Sequence, residues 1–91
     1  MEPLSSERAK ALIREILKSS NVSVTRHAER EMRSDDLTLV DCVNVLRGGW
    51  VESCELEKGT WRYRARTNRI CVVVAFRSPS CLVIVTAWRF T

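Results

Sequence analysis

At Gly48-Gly49 the apolar pattern of this chain changes its period. Before that point apolar residues recur every three or four positions, the spacing of one face of an α-helix. After it they alternate, the spacing of a strand buried on one side. Helical pattern first and closely spaced strands second predict an α+β protein, with two or three N-terminal helices packed on one face of a C-terminal antiparallel sheet of about four strands.

The helical half divides at its capping signals. Residues 5–19 read as an amphipathic helix capped by Ser5 or Ser6, with Glu7 in the first turn and Ala9, Leu12, Ile13, Ile16 and Leu17 on one face. Residues 22–25 read as a short extended piece, and 26–33 as a short helix with Ala28 and Met32 on one side. Thr38 and Asp41 have the spacing of a capping box and open a helix over 39–47 with an apolar stripe of Leu39, Cys42, Val43 and Leu46. Gly48-Gly49 is expected to end it, because Gly enters the left-handed conformation cheaply.

Four strands are expected next, over 50–56, 60–66, 70–76 and 81–89, and the short turns between them force antiparallel neighbours. The second alternates Trp61, Tyr63 and Ala65 with Arg62, Arg64 and Arg66. The third is apolar on both faces and so belongs at the centre of the sheet.

With 91 residues, 45% of them hydrophobic and 29% charged, the chain suits one ordinary domain spanning 1–91 rather than a disordered segment. No apolar run approaches the roughly 20 residues of a membrane helix. The first residues lack the basic and apolar regions of a signal peptide, so the expectation is a complete cytoplasmic protein. Cys42, Cys54, Cys71 and Cys81 form no Cys-x-x-Cys pair, and His27 is the single imidazole. Neither a metal site nor another cofactor is implied, and the cysteines read as reduced, mostly buried thiols.

Charge is unevenly distributed. Residues 1–57 hold eight Lys/Arg and eleven Asp/Glu, a net −3, whereas 58–91 hold seven Lys/Arg and no acid, a net +7. A sheet with no carboxylate invites a polyanion. Strand alternation sets Arg62, Arg64 and Arg66 on one side about 7 Å apart, similar to the phosphate repeat of an extended single strand, with Arg69 in the next turn. Guanidinium forks bind phosphate bidentately. The alternative for this row is a solvated outer face.

His27 stands at the start of the short helix with Arg26, Arg30 and Arg33 nearby. It is either a proton-transfer group or a residue fixing local packing. Trp61 reads as core. Tyr63 shares its face and needs a partner for its hydroxyl if buried, and Trp88 lies near the chain end. The chain has no Gly-rich phosphate loop and no carboxylate cluster for a divalent cation. Phosphodiester cleavage would therefore rely on attack by the RNA 2′-hydroxyl, with arginines stabilising the charged transition state and His27 or Tyr63 moving protons.

The segment Val24-Thr25-Arg26-His27-Ala28-Glu29-Arg30-Glu31-Met32, followed by the helix ending at Gly48, resembles a domain family of unknown function with a His-Ala-x-x-x-Met segment. The stretches Gly59-Thr60-Trp61-Arg62-Tyr63-Arg64 and Ile84-Val85-Thr86-Ala87-Trp88-Arg89 fit the same pattern. The element order also resembles the MqsR-like mRNA interferases of the RelE-like toxin superfamily. That resemblance implies a bacterial, metal-independent endoribonuclease of a type II toxin–antitoxin system, acting on single-stranded mRNA and paired with a co-encoded antitoxin. Arg62, Tyr63 and Arg64 would then fall in the sheet site, and Arg89 would match a late basic residue. His27 matches the His of the first family. Two other readings remain beside it. One is a non-catalytic RNA- or DNA-binding module resting on the same +7 half; in either case Arg30, Arg64, Arg66, Arg69 and Arg89 are the expected nucleic-acid-binding residues. The other is a toxin or regulator that inhibits a protein target.

Overall fold

The computed structural model describes residues 2–90. Its elements are α1 (Ser6–Ser19), β1 (Val22–Val24), α2 (Arg26–Ser34), α3 (Leu39–Gly48), β2 (Trp50–Val51), β3 (Glu55–Glu57), β4 (Thr60–Arg66), β5 (Ile70–Ser78) and β6 (Cys81–Arg89). Among the described residues no helix is long and apolar enough to cross a membrane. The class is α+β, but the sheet is mixed and has six strands, in the order β1-β6-β5-β4-β2 with β3 also on β4.

Two features separate this sheet from the four antiparallel strands expected. The extended piece after α1 joins the sheet as β1, pairing Val22–Val24 parallel to Leu82, Val83 and Ile84 of β6. Its half-buried Val22 and Val24 gain cover against the core by doing so. The strand expected over 50–56 is broken. Trp50 and Val51 of β2 stand opposite Arg66 and Ala65, whereas Glu55 and Glu57 of β3 stand opposite Arg62 and Thr60. Between these pairings the edge chain holds one residue more than β4, so its register slips by one. A slip of one residue exchanges the two faces of a strand. Glu55 and Glu57 therefore share a face with Arg62, while Cys54 turns inward and packs against the core.

The helices cover one side of the sheet. Ala9, Ile13 and Ile16 of α1, Ala28 and Met32 of α2, and Cys42, Val45 and Leu46 of α3 meet Tyr63, Ala65, Val72, Val74, Phe76, Leu82, Ile84 and Ala87. The stripe of α3 is rotated from the one expected, with Val45 inside and Leu39 45% exposed. Leu37, just before the Thr38–Asp41 capping box, is buried in the core. All four cysteines are free thiols, and burial pushes Cys42 and Cys71 up to about 11.

Gly49 ends α3 for a different reason from the one expected. Its φ of −79° and ψ of 175° are extended backbone. A Cβ there would lie 2.5 Å from the carbonyl oxygen of Arg66 and 2.7 Å from that of Val45. Glycine is required because helix end and strand end pass too closely for any side chain.

Tyr63 is fully buried on the helix side, its ring 5.0 Å from that of Phe76. Its hydroxyl accepts a bond from the Leu4 N–H (3.0 Å) and donates one to the Glu2 carboxylate (2.8 Å), fastening the N-terminal segment to the sheet. Burial, then the Glu2 carboxylate, push the phenol from 10.0 to about 12, against the opposing effect of the Leu4 N–H. Tyr63→Phe keeps the ring and orphans a buried N–H, so it is expected to lower stability by about 1–3 kcal/mol in urea unfolding while leaving the fold intact. The folded phenol holds its proton more tightly than the unfolded one. Wild-type stability should therefore be full below pH 10 and fall as the pH rises towards 12, a decline smaller in the Phe variant.

Candidate functional site

The other face of the sheet carries no helix in the core cluster, and on it stand Arg62, Arg64 and Arg66 of β4. Val73 and Ala75 of β5 are each only 5% exposed on this face, and Arg64 stands opposite Val73 with its guanidinium over the Trp88 ring.

One border of this face is set by α2. Its N-cap, Thr25, has two tasks. Its N–H donates to the Ile84 carbonyl, ending β1, and its hydroxyl donates to the Val85 carbonyl (3.1 Å) while accepting from the Ala28 N–H (3.0 Å). From there α2 replaces β1 as the neighbour of β6. Its far end is held by Arg89, whose N–H donates to the Asp35 carboxylate (2.7 Å) and whose guanidinium donates to the carbonyls of Asp35 (2.8 Å) and Asp36 (3.1 Å). Such donors satisfy the free carbonyls at a helix C-terminus. His27, exposed and second in α2, is thereby fixed beside Val85 and Thr86. There the pairing of β6 with β5 shifts, with Val73 opposite Thr86 and Val74 opposite Ile84. Val85 is the extra residue of a bulge, which locally increases twist.

These elements enclose a hollow of about 170 Å³. Val73, Val85 and Thr86 form its floor. His27 and Trp88 line it from the α2 side, and Arg62, Arg64, Glu55 and Glu57 from the β4 side. β4 and β6 are two strand spacings apart, roughly 10 Å, with β3 and α2 one element further out on either side, a span that side chains reaching inward can narrow around one phosphodiester.

The carboxylates change the electrostatics expected of the arginine row. Glu57 lies 3.9 Å from Arg62 and Glu52 lies 3.8 Å from Arg66. Dividing the charge at residue 57 separated two strands that pair with each other, so the acid-free second half is not an acid-free surface. The Arg62–Glu57 pair is long and its Glu is 58% exposed, so it is readily exchanged for another anion. The Nε of Arg62 is buried without an acceptor. That costs about 1–3 kcal/mol, which a ligand oxygen could relieve by drawing the fork into a new position.

Of the residues singled out in the sequence, the fold brings His27, Arg62 and Arg64 together. Tyr63 is on the opposite side with its hydroxyl engaged, so its expected proton-transfer role is corrected to fastening the N-terminal segment. Arg89 holds α2 in place, its guanidinium bonded to two carbonyls, rather than offering it to phosphate. Arg66 lies beyond the hollow, its guanidinium 5.4 Å from the Trp50 ring centre and 4.2 Å from that of Phe90. Arg30 on α2 and Arg69 in the β4–β5 turn are exposed and do not line the hollow.

Glu55 and Glu57 were missed as site residues, although a signal for them existed. Lys58 and Gly59 both have positive φ (51° and 78°), as a two-residue hairpin turn requires, and Gly at its second place is the usual mark. Such a turn sets Glu57 opposite Thr60 and hence Glu55 opposite Arg62. No family model, curated protein or solved structure matches this chain.

Proposed function

We propose that the chain is a small toxin-like endoribonuclease that cuts single-stranded RNA by attack of the substrate's own 2′-hydroxyl, without a metal ion. The observation that carries this reading is the convergence of His27, Arg62 and Arg64 with Glu55 and Glu57 around one hollow. Transesterification needs a proton acceptor for the 2′-hydroxyl, a proton donor for the departing 5′-oxygen, and positive charge on the phosphate between them. In-line displacement sets the entering and leaving oxygens on opposite sides of phosphorus. The carboxylates and the imidazole lie on opposite sides of the hollow, matching that demand.

In this mechanism Arg62 and Arg64 hold the non-bridging oxygens. A carboxylate, Glu55 or Glu57, takes the proton from the 2′-hydroxyl as its oxygen bonds to phosphorus. The P–O5′ bond breaks, and protonated His27 delivers a proton to the 5′-oxygen. The products are a 2′,3′-cyclic phosphate and a 5′-hydroxyl. Resemblance to the MqsR-like interferases supports mRNA as the substrate and a co-encoded antitoxin as the partner.

Labelled single-stranded RNA incubated with the protein in EDTA, with and without ribosomes, tests the reading. Wild type is expected to give cyclic-phosphate ends and to leave DNA of the same sequence intact. Arg62→Ala combined with Arg64→Ala should reduce the rate about 10²–10³-fold, the usual effect of removing transition-state charge stabilisation. RNA left intact by wild type in both conditions would overturn the nuclease and favour a binding module.

A further inference from the structure

Next to the hollow, one row of side chains crosses four strands. Trp50 of β2 stands opposite Arg66 of β4, Arg66 opposite Cys71 of β5, and Cys71 opposite Trp88 of β6. All four point to the face that carries the hollow. The Arg66 guanidinium lies 5.4 Å from the centre of the Trp50 ring and 4.2 Å from that of Phe90, and that of Arg64 lies 5.9 Å from the centre of Trp88, which meets Phe90 edge-on at 6.3 Å. The result is a surface of three aromatic rings interleaved with two cations.

Packing does not account for it. Trp50 is 46% exposed on a two-residue edge strand, and Phe90 is 36% exposed just beyond β6. Exposed indole beside fixed guanidinium is the combination that holds unpaired bases, with ring stacking on ring and cation meeting phosphate. The spacing agrees. The row lies two residues along the strand from Arg64 and Thr86, about 7 Å, similar to one phosphate step of an extended chain. Trp88 belongs to both the row and the hollow.

We infer that the Trp50–Arg66–Phe90–Trp88 row is a base-stacking subsite that takes the nucleotide adjacent to the scissile phosphate, so that the enzyme acts on unpaired RNA only. The inference rests on the nuclease reading for the position of the scissile bond. Its chemistry, base on indole and phosphate on Arg66, is independent of that reading. A duplex keeps its base faces stacked on one another and has none to offer.

The test uses a non-cleavable 2′-O-methyl RNA strand and its cleavable RNA counterpart, with binding followed by fluorescence anisotropy and cleavage by product ends. Trp50→Ala is expected to weaken binding of the single strand about ten-fold and to lower kcat/KM on the cleavable strand similarly, with an unchanged Tm. Trp50→Phe, which keeps a ring, should recover most of the affinity. An abasic residue scanned along the strand should weaken binding most at one position beside the cleavage site in wild type, and that penalty should vanish in Trp50→Ala. If Trp50→Ala binds as tightly as wild type, or a duplex binds as well as the single strand, the subsite is wrong, whatever happens to cleavage. Trp50-dependent binding without cleavage supports the subsite and removes the nuclease.

Discussion

Replacing His27 by Ala is expected to slow RNA cleavage about 10²–10⁴-fold, the usual contribution of a positioned general acid or base, and to change stability little. His27 is exposed, and α2 is held by other groups, Thr25 at its start and Arg89 at its end. Loss of the imidazole should thus be a loss of chemistry rather than of fold. Substrate design isolates the role assigned here. A nucleoside 3′-phosphate esterified to nitrophenol needs no proton on its leaving oxygen, so the His27→Ala defect should shrink sharply on it. Defects from Glu55→Gln or Glu57→Gln, which concern the attacking hydroxyl, should persist. A His27→Ala defect of equal size on both substrates would remove His27 as the proton donor.

The largest effect on stability is expected at a residue with no side chain. Gly49→Ala sets a methyl group 2.5 Å from one backbone oxygen and 2.7 Å from another. Neither oxygen belongs to a flexible side chain that could swing aside. The Val45 carbonyl accepts the hydrogen bond that closes α3, and the Arg66 carbonyl ends β4. The helix must draw away from the strand, at a cost of about 3 kcal/mol, the upper range for overpacking. For a chain of this size that corresponds to a fall in Tm of roughly 10–20 °C. Gly48→Ala is the internal control, since an added Cβ there meets nothing within 4 Å. Equal midpoints for the two variants would mean that the close passage is not a feature of the protein in solution.

Much of this fold was legible because single residues carry strong local signals. β4 and β6 begin and end where alternation predicted, and the apolar run of β5 is central. Ser5 and Thr38 cap their helices through their hydroxyls. The misreadings came from interactions that pair distant parts of the chain. Nothing local to residues 22–24 says that β6 has a free edge for them. Nothing in 50–56 reveals a slip that exists only relative to β4. Arg89 reads as a free cation until α2 ends beside it. In the site, alternation assigned Arg62 and Arg64 to one face and Tyr63 to the other, and it took the α2–β6 packing to bring His27 to the first of these.

The slip between β2 and β3 makes chain length, rather than residue identity, the sensitive variable in this segment. Losing any one of Glu52, Ser53 or Cys54 would leave two residues facing two, so that both pairings stand in one continuous strand with Glu55 still opposite Arg62. Losing two would leave one residue facing two, and a strand kept continuous from Trp50 would then turn Glu55 and Glu57 to the helix side, with Leu56 rotating the opposite way. A descendant of this protein could in that way keep both glutamates in its sequence and still lose its carboxylates from the hollow. Comparisons of such sequences should therefore score gaps between Val51 and Glu55 before they score substitutions.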